Sequence, residues 1–188
     1  MDIEPLADAC GGLAWISGEL FEVEGRLAAG SSDGELLDAR LRALLARSSR
    51  RHGQHAQWWR AALPDSPALA GFDRVRPPTD AWVRLLDHIV ESAPAGAVAA
   101  LFEVALPQLI FVLEHLSYEL SPVSDGNAIR IVAMVTTDLT EEESEAKQVW
   151  PMPKIPSSAD LEALLIAFSD DYREKRWPPL LPHPRRTG

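Results

Sequence analysis

The segment "RRHGQHAQWWRAALP", residues 50–64, contains two of the five histidines of this chain, His52 and His55. On a helix, a spacing of three residues places both imidazole rings on the same face, one turn apart. Imidazole nitrogens are common ligands of transition metals, so the pair predicts a candidate metal site. The structural alternative is that one ring faces solvent while the other is hydrogen-bonded inside a helical core. The spacing is compatible with both interpretations.

Apolar residues that recur at spacings of three and four predict a chain made almost entirely of helices. Glycines and prolines between these segments mark the ends of the helices. The predicted helices cover residues 4–29, about 34–62, 79–120 with an interruption at Pro94, 125–148 and 158–171. The predicted N-caps are Ser32 or Asp33, Thr79 or Asp80, and Ser124 or Asp125. The run "AIRIVAMVTT" resembles a strand, but no second strand is predicted to pair with it, so it is assigned to the fourth helix.

Composition indicates one globular domain of 188 residues. The net charge of −10 argues against broad binding to nucleic acid or to anionic membrane, except through a local arginine patch on the second helix. Cys10 is the only cysteine, so no disulfide can form within the chain. The first residues lack the basic region of a secretory signal, and the most apolar window is predicted to be a buried helix. We therefore expect a cytoplasmic protein.

Three segments in order, "ELFEVEGRLA", "HGQHAQWWRAALP" and "SPVSDGNAIRIVAMVTTD", together resemble the ferritin-like superfamily. They are most similar to its small bacterial branch near the di-iron tRNA hydroxylases, over roughly residues 10–148. The resemblance implies an all-α fold, an antiparallel four-helix bundle over residues 1–150. Residues 151–188 would add a short C-terminal helix and an extended proline-rich tail that packs on the bundle.

The resemblance also implies a metal site between the helices, with one glutamate from each of two helices and a Glu-x-x-His pair from each of the other two. This chain departs from that pattern, because His52 stands where a glutamate is expected and the fourth helix offers no histidine. The implied ligands, sufficient for one or two iron ions, are Glu19, Glu22, His52, His55, Glu103, Asp138 and Glu141. Trp58, three residues beyond His55, would form a wall of the substrate pocket.

Each of these acids also has a structural interpretation. Glu19 flanks the apolar stripe of the first helix, but Glu19 and Glu22 would equally suit its polar face. The run from Glu141 to Glu145 is typical of a solvated face, whereas Asp138 follows an apolar stretch and is expected to point inward. Pro107 removes a hydrogen bond to the Glu103 carbonyl, which predicts a kink that either opens room for a ligand or merely suits the packing.

Two functions follow from these residues and from the resemblance. The first is a metal-dependent oxidoreductase or hydroxylase that acts on a small or nucleoside-like substrate, and the second is a non-catalytic bundle that has lost its metal site and serves in binding or assembly. We expect a homodimer in either case. We further expect His55 to point toward Asp138 and toward Glu19 or Glu22, with His52 at the edge of that polar cluster.

Overall fold

In a computed structural model, the described residues are 1–30, 37–69, 73–150, 159–174 and 177, and their regular structure is entirely helical. This confirms the predicted all-α class. The helices are α1 (Ile3–Ala29), α2 (Ala39–Ala62), α3 (Asp80–Glu91), α4 (Pro94–Glu119), α5 (Gly126–Val149) and α6 (Ala159–Arg173), with a short 3₁₀ turn at Pro67–Leu69.

The start of α2 differs from the prediction. The helix begins at Ala39 rather than near residue 34, because the Asp38 side chain accepts a hydrogen bond from the Arg40 backbone N–H and caps it. The predicted caps Ser32 and Asp33 lie outside the described residues. Thr79 and Asp125 do occupy the N-cap positions of α3 and α5, although neither side chain makes a capping hydrogen bond.

Helices α1 and α2 run antiparallel, since Arg42 bonds to the carbonyl oxygen of Ala28 while Ser49, further along α2, bonds to that of Phe21. Their apolar faces are fully buried against each other and against the rest of the core. The buried side chains include Leu13, Ile16 and Leu20 of α1 and Leu41, Leu44 and Leu45 of α2.

Helix α5 runs antiparallel to α2, as the Arg47–Glu145 and Arg51–Glu141 ion pairs show. The strand-like run "AIRIVAMVTT" lies inside α5, which confirms the predicted helix. Ala128, Ile131, Val132 and Val135 of this run recur at helical spacing and are buried, whereas Met134 is exposed. Helix α5 also packs against the C-terminal half of α4. Helix α5 therefore joins the α1–α2 pair to α4.

Helix α4 has the predicted break before it, at residues 92–93, and Pro94 stands in its first turn. Residues Leu101–Ala105 form a π-helical turn just before Pro107, where the sequence predicted a disturbance. Among the described helices, α4 is the one long and apolar enough to span a membrane by length and composition. Its most apolar window, however, is 67% buried inside the fold, as in the core helices of many proteins.

Helix α6 closes the fold against α3, and the rings of Phe168 and Trp82 meet edge to face with centroids 5.1 Å apart. Trp177 is also buried, and it lies against Gly12 of α1. Residues 178–188 lie outside the described part of the chain, so the predicted packing of the proline-rich tail on the bundle stays a prediction.

Candidate metal centre

Three side chains that can ligate a metal meet in the interior of the protein. Glu24 comes from α1, His52 from α2 and Glu142 from α5, and each is at most 1% exposed. One ligating atom from each side chain lies within 4.8 Å of those of the other two. Within the described residues this is the one such group of three or more ligating side chains.

Two histidine–carboxylate hydrogen bonds organise the centre. His52 Nδ1 lies 2.8 Å from Glu24 Oε2, and His55 Nε2 lies 2.8 Å from Asp138 Oδ2. The two imidazole rings meet edge to face, with centroids 5.7 Å apart. The five side chains therefore form one buried cluster that extends from Asp138 through the two histidines to Glu24 and Glu142.

Several polar atoms of this cluster have no hydrogen-bond partner among the described residues. By normal hydrogen-bond geometry they are Glu24 Oε1, His52 Nε2, His55 Nδ1 and both carboxyl oxygens of Glu142. Looser contacts of Glu142 with Glu24 and with Ser48 still lower the pKa of the two carboxyls against the larger effect of burial. A buried polar atom without a partner costs about 1–3 kcal/mol, so this concentration is unfavourable unless something occupies the space between the atoms. A cation held by Glu24, His52 and Glu142 would remove the part of the penalty that belongs to these three residues, but not that of His55 Nδ1.

Burial dominates the electrostatics of the centre. It raises the pKa of Glu24 well above its usual range and that of Glu142 to about 7, where the nearby Glu24 carboxylate adds to the effect. Burial also lowers the pKa of His52, and it lowers that of His55 to about 4 against the opposing hydrogen bond from Asp138. Both imidazoles are therefore neutral at pH 7, the form in which histidine binds metal.

The helical repeat explains why Glu24 and Glu142 are buried. Glu24 follows Leu20 by four residues and lies on the apolar stripe of α1, while Glu142 follows Leu139 by three on that of α5. Neither residue is among the ligands predicted from the sequence. The sequence does contain a signal for them, because both glutamates stand at positions that the helical repeat assigns to the apolar face. The predicted ligands Glu19 and Glu141, by contrast, stand beside that face.

Of the predicted ligands, the structure brings together His52, His55 and Asp138. The predicted contact of His55 with Asp138 is confirmed, but His52 lies fully buried inside the cluster rather than at its edge. Trp58 is half-buried, and its ring centroid lies 5.5 Å from that of His55. Its role as a pocket wall stays a prediction.

The structure places the other predicted ligands elsewhere. Glu19 and Glu22 line a surface groove between α1 and α2 with Arg50. The carboxylate that α1 contributes to the centre is that of Glu24, so the expected contact of His55 with Glu19 or Glu22 is not formed. Glu103 is half-buried in the π-helical turn, and the exposed Glu141 is paired with Arg51. None of these four belongs to the buried group, and their role as ligands stays a prediction.

Two carboxylates and a neutral imidazole from three helices suit a divalent transition metal such as iron, manganese or zinc. The group therefore could hold a metal ion. Comparisons of the chain with protein-family models, with curated proteins and with solved structures give no match.

Proposed function

We propose that this protein is a ferritin-like four-helix bundle, formed by α1, α2, α4 and α5, that holds one iron ion through Glu24, His52 and Glu142. The proposed activity is that of a metal-dependent oxidoreductase acting on a small or nucleoside-like substrate. The observation that supports it is the convergence of three buried ligating side chains from three helices. The cytoplasmic location and the homodimer predicted from the sequence are part of the proposal.

The donor set favours one ion over two. The carboxylates needed to bridge a second ion, among them Glu19, Glu103 and Glu141, lie outside the buried group. A bound iron ion would supply one-electron redox chemistry to the centre. Beside it, the His55–Asp138 pair can hold a proton between the imidazole nitrogen and the carboxylate, and the ring of Trp58 lies 5.5 Å from that of His55.

A metal-free binding or assembly protein is the second candidate, and a specific observation favours it. Each histidine already pairs with a carboxylate at 2.8 Å, so part of the cluster is hydrogen-bonded without an ion. The raised pKa of Glu24, caused by burial, would also keep that carboxyl neutral. The two candidates differ in one measurable property, the metal content of the purified protein.

Metal analysis of protein purified from iron-supplemented cells separates the candidates. We expect about one iron ion per wild-type chain and a loss of at least ~90% in Glu142→Gln, because an amide replaces a ligating carboxylate. Glu145→Gln is the matched control, since Glu145 lies three residues further along α5 in a surface pair with Arg47, and it should retain the iron.

Wild-type protein that binds no iron, manganese or zinc while keeping its helical circular dichroism would support the metal-free candidate instead. Protein that binds iron but shows no redox couple by voltammetry would retain the metal site and contradict the oxidoreductase activity.

A further inference from the structure

Asp138 is the member of the buried cluster that meets solvent. Its side chain is 30% exposed, whereas those of Glu24, His52 and His55 are at most 1% exposed. From Asp138 the ligating groups continue inward, first to His55 at 2.8 Å, then to the His52 ring with its centroid 5.7 Å from that of His55, and then to Glu24 at 2.8 Å from His52. Asp138 and His55 thus join the protein surface to the candidate metal centre.

Arg51 lies at the outer end of this series. Its guanidinium is held 3.6 Å from the carboxylate of Glu141 and 3.5 Å from the backbone oxygen of Asp138. Burial raises the pKa of Glu142, and the positive charge of Arg51 lowers it slightly, so this charge is felt in the interior of the protein. A cation that approaches Asp138 therefore meets a fixed positive charge.

We infer that Asp138 and His55 form the entry route for a divalent cation to the Glu24–His52–Glu142 centre, and that Arg51, held by Glu141, is the gate on that route. This inference rests on the proposed metal centre. The gate opens when the weak Arg51–Glu141 pair separates, which exposed ion pairs do readily. Asp138 and His55 then serve as transient ligands, so they set the rate of loading rather than the final occupancy.

Cobalt(II) is a suitable probe, because its visible absorption changes when it is bound by nitrogen and oxygen ligands. Metal-free protein would be mixed with cobalt(II) in a stopped-flow instrument at low ionic strength. We expect Arg51→Gln to load on the order of tenfold faster than wild type, since a repelling charge is removed. We expect Asp138→Asn to load on the order of tenfold slower, with the same final stoichiometry.

Arg47→Gln is the matched control. Arg47 lies one turn before Arg51 on α2 and pairs with Glu145, which lies on α5 like Glu141, the partner of Arg51. Unlike Arg51, it has no hydrogen bond to Asp138. Its removal changes the net charge equally and should leave the loading rate within about twofold of wild type. The acceleration in Arg51→Gln should also shrink at high ionic strength, because salt screens the repulsion.

The outcomes separate the gate from the metal centre. Equal loading rates in all variants, or the same acceleration in Arg47→Gln as in Arg51→Gln, would overturn the gate while leaving the centre intact. If wild type and every variant bind no cobalt at equilibrium, the proposed metal centre itself fails, and the inference fails with it.

Discussion

At the scale of single residues, the main feature is the pair of buried carboxyls, Glu24 and Glu142. They come from different helices and share a region that excludes water, so burial favours their protonated forms. The same burial favours the neutral forms of His52 and His55. Binding of a cation to Glu24 and Glu142 in the metal-free protein must therefore displace protons.

This arrangement predicts how stability depends on pH in the metal-free protein. Glu142 has a pKa of 4.5 when unfolded and about 7 when folded. Between these values the unfolded chain has released a proton that the folded chain keeps, so the free energy of unfolding decreases as pH rises through about 7. Glu24 acts in the same direction. Urea unfolding in the presence of a chelator should therefore show lower stability at pH 8 than at pH 6.5.

The histidines act in the opposite direction, because their pKa values are lowered from 6.5 and the unfolded imidazoles are still half-protonated at pH 6.5. The effect of Glu142 is therefore measured as the difference between wild type and Glu142→Gln, in which both histidines are unchanged. Glu142→Gln should reduce the decrease in the free energy of unfolding between pH 6.5 and 8, because glutamine does not titrate. The exposed control Glu145→Gln should keep the wild-type loss, and an identical loss in all three proteins would contradict the assignment.

At the scale of the elements, α1 depends on a close approach to the segment that precedes α3. A Cβ atom at Gly11 would overlap the Arg74 carbonyl oxygen, and one at Gly12 would lie 2.9 Å from Pro78 Cβ. Arg74 also holds the segment to α1 through its 2.7 Å ion pair with Asp8. Glycine at these positions is therefore a packing requirement, despite its lower helix propensity.

Gly11→Ala should consequently destabilise the protein by about 1–3 kcal/mol, as overpacking does elsewhere. Gly18→Ala is the control on the same helix, because the nearest atom to its added Cβ would be 4.0 Å away, on Arg60. There the gain in helix propensity should stabilise the protein by up to ~1 kcal/mol. Thermal unfolding of both variants tests this, and stabilisation by Gly11→Ala would show that the 73–78 segment does not lie against α1.

At the scale of the whole molecule, the core is continuous from α1 to the C-terminal region. Leu161, Leu164 and Phe168 of α6 are buried with the residues of the other helices, and so is Trp177. Trp177 lies against Gly12 near the start of the chain, so it connects the two ends of the described chain through packing alone.

Trp177→Ala should lower the free energy of unfolding by about 3–5 kcal/mol, because it removes a large buried ring and leaves a cavity. Val123→Ala serves as a control, since Val123 is 97% exposed and its truncation should change stability by less than ~0.5 kcal/mol. Equal melting temperatures for wild type and Trp177→Ala would mean that the ring does not pack against α1 in solution.

The sequence by itself determined the helices and one contact of the centre. Periodicity and prolines predicted α1, the break at Pro94 and the disturbance before Pro107, because these depend on neighbours within a few residues. The contact between His55 and Asp138 could be predicted, since both residues lie beside apolar positions of their own helices. The relative rotation of the helices was not available from such local patterns.

Only the tertiary structure decided which acids complete the centre. Glu24 lies two residues from Glu22 and Glu142 lies next to Glu141, yet one member of each pair is buried and the other is exposed. On a helix, each residue points about 100° away from the one before it, so residues one or two positions apart face different directions. The rotation of α1 and α5 against α2 therefore selects which glutamate of each pair is buried. That rotation is set by the packing of the whole core, which places Glu24 and Glu142 beside His52 and leaves Glu22 and Glu141 in solvent.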